Sequence, residues 1–208
     1  GGALGAVSRG AGGRQGGGRA GCGWRAGVKA EAYGYGAPAG GGGRWQAGVR
    51  AVAVARPEEG GQLRRCGITG ERLVLGYADA ARIRELRRWR LCQTVTDPAH
   101  ARALARAAGR RPLPVHIAVD TGMHRLGTDA GAAPAVAEML RLPGLEVRGL
   151  FTHLAVADSP APEDAAFTRP QLDPPEAPAP KLRGAGHTPP PTPAHASSGI
   201  PDQPTPRR

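Results

Sequence analysis

The chain has 208 residues and a formal charge of +11, and its 33 Gly and 21 Pro make up about a quarter of it, near the low-complexity range. Nineteen Gly fall in residues 1–48 and fourteen Pro in residues 160–208, so a core-forming middle is bracketed by two segments that are poor in core residues. No run approaches about 18 apolar residues, and the Gly/Arg-rich start lacks the apolar stretch of a secretory signal; both argue against spanning and export and lead to the expectation of a soluble, cytoplasmic protein.

Residues 1–23 show no period of 2 or 3.6, and their glycines lose too much backbone entropy to order without packing, so this segment is expected to be disordered. From Trp24 onward, short apolar runs alternate with amphipathic stretches. The runs are RAGVKA (25–30), VRAVAVA (49–55), RLVLGY (72–77), LCQTVT (91–96), VHIAVD (115–120) and VRGLFTHL (147–154), each of a length that suits a buried strand. Between them lie four predicted helices: 57–67, 79–90 with Ile83, Leu86 and Trp89 at helical spacing, 97–109, and 131–144. The third opens on Asp97-Pro98 and closes at Gly109, residues that start and stop helices. A strand recurring every 20 to 30 residues with a helix in each gap predicts parallel βα units, in an open sheet or a (β/α) barrel. Six units are legible, where a closed barrel of this kind needs about eight. Residues 173–208 are too rich in proline for helix interiors or central strands, and extended, disordered polypeptide is expected there. The expected division is thus a disordered 1–23, an incomplete barrel domain over 24–172 and a Pro-rich tail over 173–208. Cys22, Cys66 and Cys92 are odd in number and far apart, without a C-x-x-C pair, and read as reduced thiols with no metal site.

Three places carry residues suited to chemistry. Lys29 follows the first apolar run, and a lysine at the carboxyl end of a barrel strand is placed to condense with an aldehyde cofactor, although a solvated lysine is its ordinary reading. In VDTGMHRLG (119–127), Asp120, Thr121 and Gly122 suit a tight turn after a strand. Arg125 then emerges where a guanidinium can donate to a phenolate or carboxylate; the alternative is a surface arginine. His153 ends the apolar run GLFTHL, where it can lie against a planar ring or equally be a satisfied core histidine.

These motifs resemble, in order, those of the alanine racemases with their N-terminal pyridoxal-phosphate barrel domain. VKAEAYGYGA is similar to the family's cofactor-lysine signature, DTGMHRLG to its mid-barrel signature and GLFTHLAVADS to that of strand six. GITGERLVLGY, LCQTVTD and EDAAFTRPQ add to the likeness, which covers about residues 24–172 and is nearest to the serine/alanine racemase branch. The resemblance implies pyridoxal 5'-phosphate as cofactor, a small amino acid (alanine or serine) as substrate, and a homodimer in the complete family form. It implies that Lys29 bonds to the cofactor and serves as one of two racemisation bases, that Tyr33 helps hold the phosphate, that Arg125 stands near the phenolic oxygen and that His153 packs beside the ring. Ser198, in HASSGI (195–200), is a candidate for the phosphate-contacting serine.

The chain also departs from the family pattern. No residue matches the opposite-face tyrosine base of a C-terminal β-domain, nor the late-strand arginine at the pyridine nitrogen. Ala118 stands where the family commonly has a lysine that orients the arginine matched by Arg125, and the Gly-rich APAGGGGRW (37–45) replaces an amphipathic helix. A truncated sequence with an open-edged, incomplete sheet and impaired racemisation is therefore expected. Two other readings are open to the sequence. A single-domain pyridoxal-phosphate carrier without racemase activity shares the barrel, but its likeness to these motifs is lower. Nucleic-acid binding through Arg9, Arg14, Arg19 and Arg25 is motivated by the charge, yet lacks interleaved aromatic residues, and no nucleic-acid or membrane partner is expected.

Overall fold

The computed structural model describes residues 25–27, 51–67, 69–153, 155 and 194–195. In chain order these form β1 (Arg25–Gly27), β2 (Ala51–Val54), α1 (Pro57–Arg65) and β3 (Glu71–Val74). A 3-10 turn (Ala80–Arg82) leads into α2 (Ile83–Arg88), followed by β4 (Cys92–Val95), α3 (Pro98–Ala108), β5 (Leu113–Asp120) and β6 (Thr128–Asp129). The described chain ends with α4 (Ala133–Arg141), β7 (Leu145–His153) and β8 (Ala194–His195). Each apolar run of the sequence holds one of β1–β5 and β7, and each amphipathic stretch holds a helix.

All the strand pairs are parallel, in the order β1-β2-β3-β4-β5-β7-β8, with β6 a short side pairing on β5. A doubly wound sheet reverses its strand order at a switch point, whereas here the order follows the chain without reversal. The packing agrees with that order. Leu63, Leu86, Leu104 and Val136, one from each helix, share a buried cluster with Val52, Val54, Val74, Val95, Val115, Ile117 and Leu150 from the strands. A separate cluster of Leu73, Cys92, Ala118 and Phe151 lies on the other face and contains no helical residue. A sequential parallel sheet with its helices on one face is a (β/α) barrel arrangement, here partial. The choice left open by the strand pattern is thereby decided.

Side chains alternate between the two faces along each strand, and paired residues of parallel strands share a face. The pairings Leu73 with Cys92, Thr94 with His116 and Ala118 with Phe151 therefore line the face that the helices leave free.

The helix ends follow from local chemistry. Asp97 Oδ1 accepts from the His100 amide at 2.8 Å, Pro98 takes the first helical position of α3, and Gly109 at φ 56° ends it. Two arginines then satisfy the carbonyls that a helix leaves open at its carboxyl end. Arg64 donates to the carbonyls of Trp89 and Arg90 beyond α2, at 2.8 and 3.1 Å, and Arg87 donates to those of Ala108 and Arg111 at the end of α3.

Two short strands lie outside the predicted runs, β6 and β8. β8 lies in the Pro-rich stretch where no further unit was legible, and it pairs Ala194 with Thr152 and His195 with His153. The physical reason is local: after Pro193 the residues Ala194 and His195 carry free amides, and proline immediately before a strand removes no ladder donor. The expected disorder of residues 1–23 falls outside the described residues, as does the rest of the tail.

Candidate active site at the carboxyl ends of the strands

The site begins with the loop that leaves β5. Asp120, the last residue of that strand, accepts through Oδ1 from the amides of Gly122, Met123 and His124 at 2.9, 3.0 and 3.0 Å. Burial alone would raise the pKa of this carboxyl, but the amide donors and the neighbouring His124 outweigh it and hold Asp120 below its ordinary value. A fixed carboxylate thus winds residues 121–127 into a tight excursion. The chain returns so closely that a Cβ on Gly127, at φ 127°, would stand 3.0 Å from the Asp120 nitrogen and 3.1 Å from the Ala118 oxygen, which only glycine avoids. β6 then pairs alongside Val119 and Asp120, and Thr128 Oγ1 donates to the Thr96 carbonyl at 3.1 Å. The motif DTGMHRLG is therefore a scaffold that carries Arg125, exposed, beyond the carboxyl end of β5.

His153 reaches the same end from β7. Its ring meets Phe151 edge-on at a centroid separation of 6.2 Å, and the preceding Thr152 shares a hydroxyl hydrogen bond of 2.7 Å with Thr121. That bond ties the end of β7 to the start of the arginine loop. Arg125 and His153 together line one pocket with Leu75, Ala118, Val119, Met123, Leu126 and Phe151. Two residues that stand 28 positions apart in sequence are thus brought to one cleft, whose other lining side chains are apolar.

Lys29, Tyr33 and Ser198 lie outside the described residues. Parallel pairing nevertheless directs the strands that lead to them: β1 ends at Gly27, two residues before Lys29, and β8 ends at His195, three before Ser198, both pointing to the end where β5 and β7 deliver Arg125 and His153. Ala118, where the resemblance expects a lysine, is buried in the pocket wall.

The apolar wall was missed in the sequence, although a signal was present. Leu73 and Leu75, and likewise Phe151 and His153, are spaced by two, so fixing one of each pair on the open face fixes the other. A second cluster, beside this one, was also missed. His100 on α3 is buried, with Nε2 at 3.0 Å from the Ala78 carbonyl and Nδ1 at 3.2 Å from Thr96 Oγ1, and the Tyr77 ring packs against it at a tilt, with centroids 4.3 Å apart. Because a carbonyl only accepts, Nε2 carries the proton. Burial is the main cause that lowers the His100 pKa, outweighing the Ala78 carbonyl and the charges of Asp97 and Asp79. His100 thereby clasps the loops after β3 and β4.

The family described as the alanine racemase N-terminal domain matches residues 17–206, a wider span than the sequence motifs marked out. The chain is 39% identical over 145 residues to a serine/alanine racemase of Enterococcus gallinarum, covering 70% of this chain and 20% of that protein. It is 43% identical over 150 residues to an alanine racemase of Desulfosudis oleivorans, covering 66% of this chain and 38% of that one. Among solved structures, an alanine racemase of Corynebacterium glutamicum superposes with a TM-score of 0.70 at 29% identity, over 88% of this chain and 51% of that one. An alanine racemase of Clostridium difficile 630 in complex with cycloserine gives 0.69 at 27% identity, over 82% and 47%. The chain thus spans a fifth to about two fifths of these curated relatives' length. Among the described residues, no helix is long and apolar enough to cross a membrane.

Proposed function

Because the chain belongs to the alanine racemase N-terminal domain family, we propose that it forms the cofactor-binding part of an amino-acid racemase that interconverts the enantiomers of alanine, or of serine, with pyridoxal 5'-phosphate. One observation carries the reading: Arg125 and His153 line one pocket at the strand ends toward which β1 directs the chain that bears Lys29. The pocket suits the cofactor chemically. Its apolar walls of Leu75, Leu126 and Phe151 suit a planar ring, and its guanidinium suits an oxygen anion.

When bound, the cofactor supplies a conjugated, electron-withdrawing ring that makes the substrate Cα proton acidic. The rest is the work of the chain. Lys29 would move that proton on one face of Cα, which requires a neutral amine, a form that a cation placed beside it would favour. Arg125 would donate to the phenolic oxygen, and Tyr33 and Ser198 would hold the phosphate. His153, steadied by Phe151 and by the Thr121–Thr152 bond, would pack beside the cofactor ring. Inversion needs a second base on the opposite face, which none of these 208 residues matches; in the homodimeric form of the family a partner copy supplies it. This stretch on its own is expected to racemise weakly.

Reductive trapping tests the reading. Pyridoxal phosphate is added to the protein, an absorbance band near the visible edge is sought, and borohydride followed by peptide mapping is expected to place the label on Lys29. Labelling that is equal in the wild type and in Lys29→Ala would overturn the proposal.

A further inference from the structure

The face that carries the pocket holds a second constellation, toward the amino ends of the strands. Glu71 opens β3, Cys92 opens β4 and His116 lies midway along β5, all on the face free of helices. Their ligand atoms, a carboxylate oxygen, a thiol sulfur and an imidazole nitrogen, lie within 4.8 Å of one another. Cys92 and His116 are each 1% exposed. His116 Nε2 stands 3.4 Å from Glu71 Oε1, while Arg148 Nη1 stands 3.6 Å from Oε2, the other oxygen. Glu71 is thereby oriented through one oxygen and presents the other to the histidine, the arrangement that outer partners give to a metal-binding carboxylate.

An independent observation concerns Thr94. It lies directly across from His116 in the register and two residues from Cys92, hence on the same face, and it is fully buried. Its Oγ1 has no hydrogen-bond partner. A buried hydroxyl without a partner is costly, and on the face that carries the three ligand groups it is available to a water bound there.

We propose that Glu71, Cys92 and His116 form a site for a thiophilic divalent metal ion of the zinc class, with a water completing the tetrahedron beside Thr94. One sulfur, one imidazole and one carboxylate suit this class in preference to magnesium or calcium, which take oxygen ligands. On binding, the Cys92 thiol releases its proton to solvent and its sulfur donates a lone pair to the metal; no electron is transferred, and no oxidant is needed. Charge permits it. A divalent ion with a thiolate and Glu71 is neutral, and the adjacent Arg148 is balanced by Glu146, to which its Nε and Nη2 donate at 3.0 and 3.2 Å. Such an ion joins β3, β4 and β5 where no helix covers them. The site uses none of the residues assigned to the cofactor and so stands apart from the racemase reading, although Cys92 shares its small cluster with Ala118 and Phe151 of the pocket wall.

Cobalt(II) titration of the reduced, chelator-treated full chain tests the proposal, with cobalt as spectroscopic stand-in for zinc. The expected result is a thiolate-to-cobalt charge-transfer band with intense visible bands of tetrahedral coordination, saturating at one cobalt per chain and displaced by zinc. Cys22→Ser and Cys66→Ser should keep both sets of bands. Cys92→Ser should lose the charge-transfer band and bind at least about tenfold more weakly. Absence of uptake, a weak octahedral spectrum, or a charge-transfer band that survives in Cys92→Ser overturns the site. If Cys92→Ser fails to fold, X-ray absorption on the zinc-loaded wild type decides instead: a shell with one sulfur and an imidazole supports it, and a shell of oxygen and nitrogen alone overturns it.

Discussion

Asp120 at the end of β5 and His100 in the first turn of α3 act as fasteners rather than as reagents. Asp120 collects three amides and shapes the arginine loop, while His100 joins the loops after β3 and β4 through Ala78 and Thr96. His100 has a folded pKa below its unfolded value, so the folded state takes up its proton less readily than the unfolded state does. The stability it contributes is therefore present above the unfolded value of about 6.5 and is lost as pH falls toward the lower folded value. Urea unfolding measured between about pH 7 and pH 5 should show this loss in the wild type and a flatter profile in His100→Gln, a range above most carboxylate titration. Identical slopes would rule out the clasp. Asp120 and Asp97 carry lowered carboxyl pKa values, and their contribution is lost at still lower pH.

At the scale of elements, the helices are held in a chain of end-to-end bonds. Arg64 of α1 caps the end of α2, and Arg87 of α2 caps the end of α3. Asp97 fastens the start of α3, which contributes Ala101, Leu104 and Ala108 to the main core. Asp97→Ala should cost about 0.5 to 2 kcal/mol, and Arg87→Ala about 1.5 to 3 kcal/mol, because each removes a charge-assisted bond to a helix end. Chemical denaturation of each variant and of the double variant checks both values and whether they add. A change within error for Arg87→Ala would mean that water satisfies those carbonyls as well as the guanidinium does. The four helices were legible because their apolar residues recur at helical spacing beside Pro and Gly signals. The bonds between the helices were not legible, since an arginine on a helix surface gives no sign of which distant carbonyl it will reach.

For the whole molecule, the main fact is one buried cluster shared by four helices and strands β2–β5 and β7. Leu104 lies fully buried within it. Leu104→Ala should destabilise the fold by roughly 2 to 5 kcal/mol. If the cluster is one cooperative unit, hydrogen exchange should show the most protected amides of β3 and β5 losing protection together. Loss confined to the strands against α3 would divide the barrel into separate units. The order of the strands also puts every βα loop at one end, where a pocket gathers residues from β3, β5 and β7.

The amino-acid sequence alone determined the helices, six of the strands and the family resemblance. Apolar runs of strand length and amphipathic stretches of helical spacing are local patterns, and the motifs holding Lys29, Arg125 and His153 stand in an order that is itself a resemblance. Tertiary structure decided what depends on pairings between distant residues: that the helices cover one face, that Ala194–His195 joins the edge of β7, and that Arg125 meets His153 in one cleft. The juxtaposition of Glu71, Cys92 and His116 is of the same kind. Their spacing of 21 and 24 residues matches no local motif, and it acquires meaning only when parallel register brings three neighbouring strands side by side.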